Sequence, residues 1–135
     1  MEECIFCKII NKEIPAYILY EDEYSIAFLD INPVNKGHTL FVPKNHFDRI
    51  SDIDGEYIKN FYESFTKFLK LFEEKISKDY NIIINSGKKA GQAVFHAHIH
   101  IIPQYNENGY KNIFIWNTHK LSKEEAEEII KKFNS

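Results

Sequence analysis

The sequence predicts an α+β domain in which a mainly antiparallel sheet of five strands carries one long helix and a C-terminal helix. Short apolar segments bounded by Pro, Gly, Asn and Asp follow one another closely along the chain, which is typical of adjacent antiparallel strands. One long segment carries an apolar stripe at helical spacing, and this stripe needs a sheet to cover. A chain of 135 residues has the length of one domain. We therefore treat residues 1–135 as a single domain.

The first half of the chain is predicted to form a short helix or turn followed by three strands. The helix or turn covers residues 4–11. Two short segments rich in apolar side chains, residues 17–21 and 25–29, are separated by a tight polar turn. They are therefore predicted to be paired strands. Residues 38–42 form the third strand, and Pro43 ends it because proline cannot donate to a strand ladder.

The second half of the chain contains the strongest predicted helix, over residues 54–77, which Asp52 or Asp54 could cap. Its apolar stripe is predicted to pack in the core and consists of Ile58, Phe61, Tyr62, Phe65, Phe68, Leu69, Phe72 and Ile76. A buried strand over residues 81–85 and a polar loop over 86–92 follow, and then a fifth strand over 93–103. A capping box that starts at Ser122 opens the last helix, residues 123–133.

Composition and charge exclude several classes of protein. A hydrophobic content of 44% is enough for a core and excludes a disordered chain. The 17 basic residues are balanced by 20 acidic ones, which argues against a nucleic-acid-binding face. The first residues lack a signal peptide, and no apolar run approaches the ~20 residues of a membrane span. We expect a cytoplasmic protein without nucleic-acid or membrane partners.

Three histidines alternate within one predicted strand, so the side chains of His96, His98 and His100 should share one face. Two functions suit this row. The first is a zinc site, although the outer α-carbons of five strand residues lie ~13 Å apart and converge poorly on one ion. The second is a histidine nucleophile that attacks phosphorus while its neighbours assist.

A second candidate feature is the pair Cys4 and Cys7, three residues apart. In a cytosolic chain such a pair indicates a metal site or a redox pair before a structural disulfide. The segment lacks the strand-then-helix setting of a thioredoxin-like redox motif. Two buried cysteines without a ligand remain the third alternative.

The chain resembles the histidine triad (HIT) family, in the bacterial-type form of its Hint-like branch. The triad segment His96-Ala97-His98-Ile99-His100-Ile101-Ile102 carries the family signature. Further matching motifs occur in the family's order and spacing from Cys4 to about Tyr105. They are Cys4-Ile5-Phe6-Cys7-Lys8-Ile9-Ile10, Glu13-Ile14-Pro15, Tyr20-Glu21-Asp22, Ala27-Phe28-Leu29-Asp30-Ile31, Gly37-His38-Thr39-Leu40-Phe41-Val42-Pro43-Lys44-Asn45-His46 and Gly91-Gln92.

The resemblance implies a homodimer in which two five-stranded sheets join, and an enzyme acting at the α-phosphate of a nucleotide. His98 matches the nucleophile that becomes nucleotidylated, His100 the third triad histidine at the phosphate, and His38 a histidine that completes the polar pocket. Asp30 matches the carboxylate that accepts the ribose hydroxyls, with Ile31 beside it. The matching phosphate-side loop residues are Asn85, Gly91, Gln92 and Ala93.

The resemblance also implies a structural zinc ion that tethers the N-terminal segment to the sheet, while no catalytic metal is required. Its four implied ligands are Cys4, Cys7, His46 and His96. Two positions depart from relatives. Ala93 stands where some carry a serine, which removes a hydroxyl donor, and Gln104 stands where several carry an arginine, which removes a possible phosphate charge.

The function we expect is a nucleotidyl hydrolase or transferase for a purine, adenosine-containing derivative such as a nucleoside phosphoramidate, acting through a nucleotidyl-histidine. The alternatives are a dinucleoside polyphosphate hydrolase on the same site, a non-catalytic nucleotide-binding or scaffold protein, and a zinc hydrolase that uses the triad as ligands. Residues 106–135 carry no motif with an assigned function. Within them, Trp116 could pack at a subunit interface, and His119 is expected at the surface or a dimer contact.

Overall fold

The computed structural model describes residues 4–135, which form one five-stranded sheet with helices on both faces. The strands are β1 (Ile18–Glu21), β2 (Ser25–Leu29), β3 (Thr39–Pro43), β4 (Tyr80–Ile83) and β5 (Ile99–Pro103). Their order across the sheet is β1-β2-β3-β5-β4, and every neighbouring pair is antiparallel. The predicted α+β class and five-stranded sheet are confirmed.

Four α-helices complete the described chain: α1 (Ile5–Ile10), α2 (Gly55–Lys75), α3 (Asn112–Ile115) and α4 (Lys123–Phe133). The Asp54 carboxylate caps α2 by accepting the backbone N–H of Tyr57 at 2.9 Å. The predicted long helix is therefore confirmed, with Asp54 as its cap. No helix in residues 4–135 is long and apolar enough to cross a membrane.

The aromatic face of α2 forms the core on one side of the sheet. The ring of Phe41 on β3 lies 5.2 Å from the ring centroids of both Phe61 and Phe65, and 5.6 Å from that of Phe68. Helix α4 closes this core with Ala126, Ile129 and Phe133. Since burying one phenylalanine side chain stabilises a fold by about 1.5–3 kcal/mol, the predicted stripe holds α2 on the sheet.

Helix α1 covers the opposite face of the sheet and begins the wall of a cavity there. Phe6 and Ile9 of α1 pack against Phe28 of β2 and Leu40 of β3. The rings of Phe6 and Phe28 meet edge to face, 5.4 Å apart. This second, smaller core leaves the rest of the face open for polar side chains.

Two strand predictions need correction. The segment over residues 81–85 is not a buried strand, because β4 is the last strand of the sheet and Ile82 and Ile84 are each 44% exposed. The fifth strand begins at Ile99 and not at residue 93. Residues before Ile99 leave the ladder because the backbone N–H of Ala97 donates to the carbonyl of Phe47, 2.6 Å away, outside the sheet.

Candidate active site and metal cluster

The three histidines alternate with core residues as predicted, although β5 begins only at Ile99. Ala97, Ile99 and Ile101 lie in the core under α2, so the histidines point to the α1 face as predicted. The row nevertheless divides in two. His98 and His100 line the large cavity on that face, whereas the His96 ring is fully buried and lies against the two cysteines.

The cavity beside His98 and His100 has a volume of about 800 Å³, within the ~300–1,000 Å³ of small-molecule sites. Much of its lining is apolar and comes from α1, the segment after it, β2 and β3. The apolar residues include Ile5, Phe6, Ile9, Ile14, Pro15, Ala16, Phe28 and Leu40. The polar part of the lining consists of the two histidines with Asp30, Asn85 and Gly91. A ligand with an aromatic part and an anionic part fits this division.

Within residues 4–135, one nitrogen of the His98 ring is hydrogen-bonded and the other has no hydrogen-bond partner. Its Nδ1 lies 2.7 Å from the carbonyl oxygen of His96, which can only accept, so Nδ1 carries the proton. Burial lowers the pKa of His98 below its ordinary value. The neutral ring therefore presents an unprotonated Nε2 lone pair, as a nucleophile requires.

His38 and His100 form a hydrogen-bonded pair whose direction is fixed by the backbone. The N–H of Val34 donates to Nδ1 of His38 at 3.0 Å, so the His38 proton sits on Nε2. That Nε2–H donates to Nδ1 of His100 at 2.9 Å, which leaves the His100 proton on its Nε2. His100 is thus a hydrogen-bond donor beside His98 and suits contact with a phosphoryl oxygen.

Asp30 lies where β2 ends and faces the same cavity. Its Oδ1 accepts the backbone N–H of Asn32 at 2.8 Å, and its Oδ2 lies 3.5 Å from Nε2 of His38. Burial raises the pKa of this carboxyl above its ordinary value. Ile31 follows on the cavity rim and is 63% exposed. The carboxylate can accept hydroxyl groups from a ligand that enters the cavity.

The loop between β4 and β5 brings Asn85, Gly91 and Ala93 to the cavity. Gly91 has a φ of +94°, in the left-handed region that favours glycine. An added β-carbon there would make only an ordinary contact with the Asn85 amide nitrogen, at 3.7 Å, so the strain would come from the backbone angle. Replacement of Gly91 would therefore change the loop backbone that faces the ligand.

The side chain of Gln92 stabilises this loop and is absent from the lining of the large cavity. The amide oxygen accepts the N–H of Gly87 at 2.8 Å, and the amide nitrogen donates to the carbonyls of Asp48 and Val94 at 2.7 and 3.0 Å. Only 3% of the residue is exposed. This amide is therefore held by the loop backbone, and the place of Gln92 at a nucleotide phosphate stays a prediction.

The four predicted metal ligands converge on one point. The donor atoms of Cys4, Cys7, His46 and His96 all lie within 4.8 Å of one another. Cys4 Sγ is 3.3 Å from His96 Nδ1, and Cys7 Sγ is 3.4 Å from His46 Nδ1. Zn–S and Zn–N bonds of about 2.3 and 2.0 Å at tetrahedral angles separate sulfur and nitrogen by about 3.5 Å.

Both histidines of the cluster have the tautomer that metal binding requires. His96 Nε2–H donates to the carbonyl of Pro43 at 2.8 Å, and His46 Nε2–H donates to Asp48 Oδ1 at 2.9 Å. Each Nδ1 is therefore free to face the cysteine sulfurs. Cys₂His₂ is a common donor set of closed structural zinc sites, and these residues fit it.

The sequence was compared with models of known protein families. The family model described as the HIT domain matches residues 11–107. The chain belongs to the histidine triad family. The match covers the triad, Asp30 and His38, whereas Cys4, Cys7 and the segment after residue 107 lie outside it.

Individual members of the HIT family agree with this assignment. An uncharacterised HIT-like protein of Methanocaldococcus jannaschii is 51% identical over 78% of this chain and 82% of its own length. An adenosine 5′-monophosphoramidase of Schizosaccharomyces pombe is 36% identical over 98% of this chain and 96% of its own. A zinc-bound HIT family protein from Mycobacterium smegmatis has a TM-score of 0.76 and 29% identity, covering 98% and 94% of the two chains.

The C-terminal segment of this HIT protein supplies side chains that sequence reasoning missed. Trp116 and Thr118 line the large cavity. The indole ring of Trp116 stands perpendicular to the rings of His38 and His100, with centroids 5.8 and 5.2 Å away. The sequence marked this residue in one way, as the single tryptophan of the chain.

His119 is exposed, as expected, and contacts Glu125 at 2.9 Å.

Gln104, which stands where several relatives carry an arginine, makes its contacts away from the triad. It lies outside the cavity lining and is 9% exposed. Its amide nitrogen donates to the side-chain oxygens of Asn81 and Asn112 at 3.0 and 3.1 Å. The residue therefore ties the start of α3 to β4.

Acidification is expected to destabilise this HIT domain through His38 and His100. Burial, with the neighbouring histidines second, lowers the pKa of His38 to about 3 and that of His100 to about 4, from 6.5. Between pH 6.5 and these values only the unfolded chain binds the protons, so the free energy of unfolding falls as pH falls. We expect about 1 kcal/mol lost per buried histidine between pH 7 and pH 5.5.

Urea denaturation at the two pH values measures this loss. In the variant His38→Gln the loss should be smaller by the contribution of one histidine. Equal losses in the two proteins would show that His38 is not held neutral by the fold.

Proposed function

We propose that this HIT protein hydrolyses the P–N bond of an adenosine 5′-phosphoramidate or a similar nucleotidyl derivative through a covalent nucleotidyl intermediate on His98. The observation that carries the proposal is the fixed tautomer of His98, which leaves Nε2 unprotonated on a ring that lines a cavity of nucleotide size. The S. pombe relative named as an adenosine 5′-monophosphoramidase supports the same reaction class.

The proposed reaction has two displacement steps at the α-phosphorus. Nε2 of His98 forms a P–N bond while the bond to the leaving amine breaks, and the amine departs with the bonding pair and a proton from solvent. Water then attacks phosphorus, the bond to Nε2 breaks with its electron pair returning to the ring, and the attacking water gives one proton back to solvent. The nucleoside monophosphate is released, and one water is consumed overall. The carbonyl of His96 stabilises the positive charge that the His98 ring gains at Nδ1–H.

The proposed substrate contacts both the apolar and the polar lining of the cavity. We assign the base to the apolar residues of α1, the ribose hydroxyls to Asp30 beside Ile31, and the phosphate to His100 and the loop that carries Asn85, Gly91 and Ala93. A carboxylate can accept both hydroxyls of a ribose. Within residues 4–135, the lining contains no lysine or arginine, which favours one phosphate over a polyphosphate bridge.

We further propose that the chain binds one structural zinc ion at Cys4, Cys7, His46 and His96. Support comes from the near-tetrahedral separations of the donor atoms and from the zinc-bound M. smegmatis relative. When bound, the ion links α1 to the triad segment and to the loop after β3. Through α1 it also fixes Phe6, whose ring lies 5.1 Å from that of His98. No step of the proposed chemistry uses the ion.

The proposed assembly is a homodimer. Its support within residues 4–135 is the edge strand β4, which pairs on one side only, together with the exposure of Ile82 in this strand and of Ile84 just after it. Natural proteins usually cover or blunt such an edge. Sedimentation at several protein concentrations measures the association.

Trapping of the intermediate tests the proposed reaction. Enzyme quenched in acid-free denaturant during turnover of adenosine 5′-phosphoramidate should gain the mass of one adenylyl group, located on His98 by peptide mass spectrometry. An adenylyl group on another residue, or release of AMP without any adduct under single-turnover conditions, would contradict the proposal. Turnover of diadenosine polyphosphates in preference to the phosphoramidate would favour the dinucleotide alternative.

A further inference from the structure

The Gln92 side chain lies between the proposed zinc site and the candidate active site and takes no part in the proposed chemistry. It belongs to the loop of residues 85–93, the phosphate loop. Its neighbours Gly91 and Ala93 both line the large cavity, whereas Gln92 is absent from the lining and only 3% exposed. The backbone on either side of Gln92 therefore borders the assigned phosphate position, while its side chain is buried in the protein.

On the phosphate side, Gln92 closes the turn that leads to Gly91. Its amide oxygen accepts the N–H of Gly87 at 2.8 Å, and its backbone N–H donates to the Gly87 carbonyl at 3.1 Å. Gly87 is buried and has a φ of +95°, a conformation that favours glycine. The two bonds to Gly87 thus fix the shape of the phosphate loop at its start.

On the opposite side, Gln92 is bonded to the segment of residues 44–49 after β3, which carries one proposed zinc ligand. Its amide nitrogen donates to the backbone carbonyl of Asp48 at 2.7 Å. The carboxylate of the same Asp48 accepts Nε2–H of His46 at 2.9 Å, while Nδ1 of His46 lies 3.4 Å from Cys7 Sγ. A carboxylate in this place orients an imidazole toward a metal ion. Asp48 therefore connects the proposed ligand His46 to Gln92.

Two further contacts hold the same segment in place. The Arg49 guanidinium lies so close to Gly87 that an added β-carbon there would be 2.6 Å from its Nη2. The Ala97 N–H of the triad segment donates to the Phe47 carbonyl at 2.6 Å. Arg49 is exposed, whereas the Gln92 amide is buried, and breaking a buried hydrogen bond leaves its partners unpaired at a greater cost. The Gln92 amide is therefore the stronger link to the phosphate loop.

We propose that Gln92 is a positioning residue that couples occupation of the zinc site to the shape of the phosphate loop. The inference rests on the proposed function, because it takes a nucleotide phosphate to lie at this loop, and on the proposed zinc ion. An ion bound by His46 restrains Asp48, and the Asp48 carbonyl restrains the Gln92 amide. Loss of the ion therefore gives the backbone at Gly91 more freedom and weakens its contacts with phosphate.

Two ligands and two variants test the coupling. AMP and adenosine differ by the phosphate alone, so the ratio of their dissociation constants separates the phosphate loop from any effect of zinc on α1. Gln92→Met removes the amide at nearly constant volume. Gln104→Met is the matched control, because that amide is also buried, at 9% exposure, and is hydrogen-bonded to asparagine side chains outside both segments.

The fluorescence of Trp116, the only tryptophan, reports binding in the cavity that it lines. In wild type and in Gln104→Met, chelation of zinc should reduce the preference for AMP over adenosine about fivefold or more. In Gln92→Met the preference should be reduced already with zinc bound, and chelator should not reduce it further. An unchanged preference in zinc-loaded Gln92→Met, or an equal loss in zinc-loaded Gln104→Met, would overturn the coupling.

The affinity for zinc gives the reciprocal measurement. By linkage, AMP should tighten zinc binding to the wild type more than adenosine does, by the same factor of about five or more. This difference between the two ligands should vanish in Gln92→Met and persist in Gln104→Met. A residue that only supported folding would lower stability without removing the difference. A wild type that binds no zinc would also overturn the coupling.

Amide hydrogen exchange decides the case in which AMP does not bind. Chelation of zinc from the wild type should speed exchange over residues 87–92 about tenfold or more, while α2 stays protected. Zinc-loaded Gln92→Met should show the same fast exchange, and zinc-loaded Gln104→Met should not. This pattern without AMP binding would reject the proposed function and keep the link between zinc and the loop. Equal protection of residues 87–92 with and without zinc in the wild type would overturn it.

Asp48→Ala provides a second variant if Gln92→Met does not fold. The Asp48 carboxylate is 64% exposed, so its removal should leave the domain folded and all four proposed ligands present. It breaks the same route at His46, and we expect the dissociation constant for zinc to rise about tenfold. Exchange over residues 87–92 should rise with it at limiting zinc. Wild-type exchange in this loop under those conditions would overturn the proposal.

Discussion

Replacement of His98 by alanine is expected to lower kcat/KM for adenosine 5′-phosphoramidate by at least about a thousandfold, or ~4 kcal/mol of transition-state stabilisation. The variant removes the only ring nitrogen that is both unprotonated and open to the cavity among His38, His98 and His100, because the other two rings are committed as donors at Nε2. Steady-state kinetics on the zinc-replete protein, together with the loss of the trapped adduct, measures the effect.

His119→Ala is the matched control, since it also removes an imidazole. The His119 ring is exposed and bonds only to Glu125 among the described contacts, so its loss should leave kcat/KM within about twofold. Near-normal turnover in His98→Ala would remove His98 as the nucleophile. Equal losses in the two variants would indicate a general effect on folding.

Loss of the proposed zinc ion is expected to produce the largest change in stability. Cys7→Ser should lower the thermal midpoint by about 10 °C or more, because it removes one of the four proposed ligands and would free α1 from the loop after β3 and from the triad segment. Differential scanning calorimetry measures the midpoint, and metal analysis of protein purified without chelator should give one zinc per chain.

Lys8→Ser on the same helix is the control for a polar substitution that leaves all four ligands intact. A chelator should lower the midpoint of the wild type and of Lys8→Ser to that of Cys7→Ser, and it should not change Cys7→Ser further. A wild-type protein that contains no zinc and is unaffected by chelator would contradict the metal assignment.

The sequence was sufficient where local periodicity decides the structure. The spacing of three and four in α2 determined its apolar face, and the alternation around His98 placed the histidines opposite Ala97, Ile99 and Ile101. Both signals act within one element, so they need no knowledge of its neighbours. The motifs shared with the HIT family added Asp30, His38 and the four metal ligands, which no single spacing would have brought together.

Only the tertiary structure decided which groups each polar side chain meets. In the folded chain His96 contacts the cysteines, whereas His98 lines the cavity. The buried Gln92 amide is hydrogen-bonded to the loop backbone, and β4 is an edge strand of the sheet. It also brought Trp116 from an unassigned segment to His100. These outcomes depend on contacts between residues distant in sequence, and the satisfaction of buried donors and acceptors selects among them. Sequence patterns determine which face a side chain occupies, and packing determines its partner.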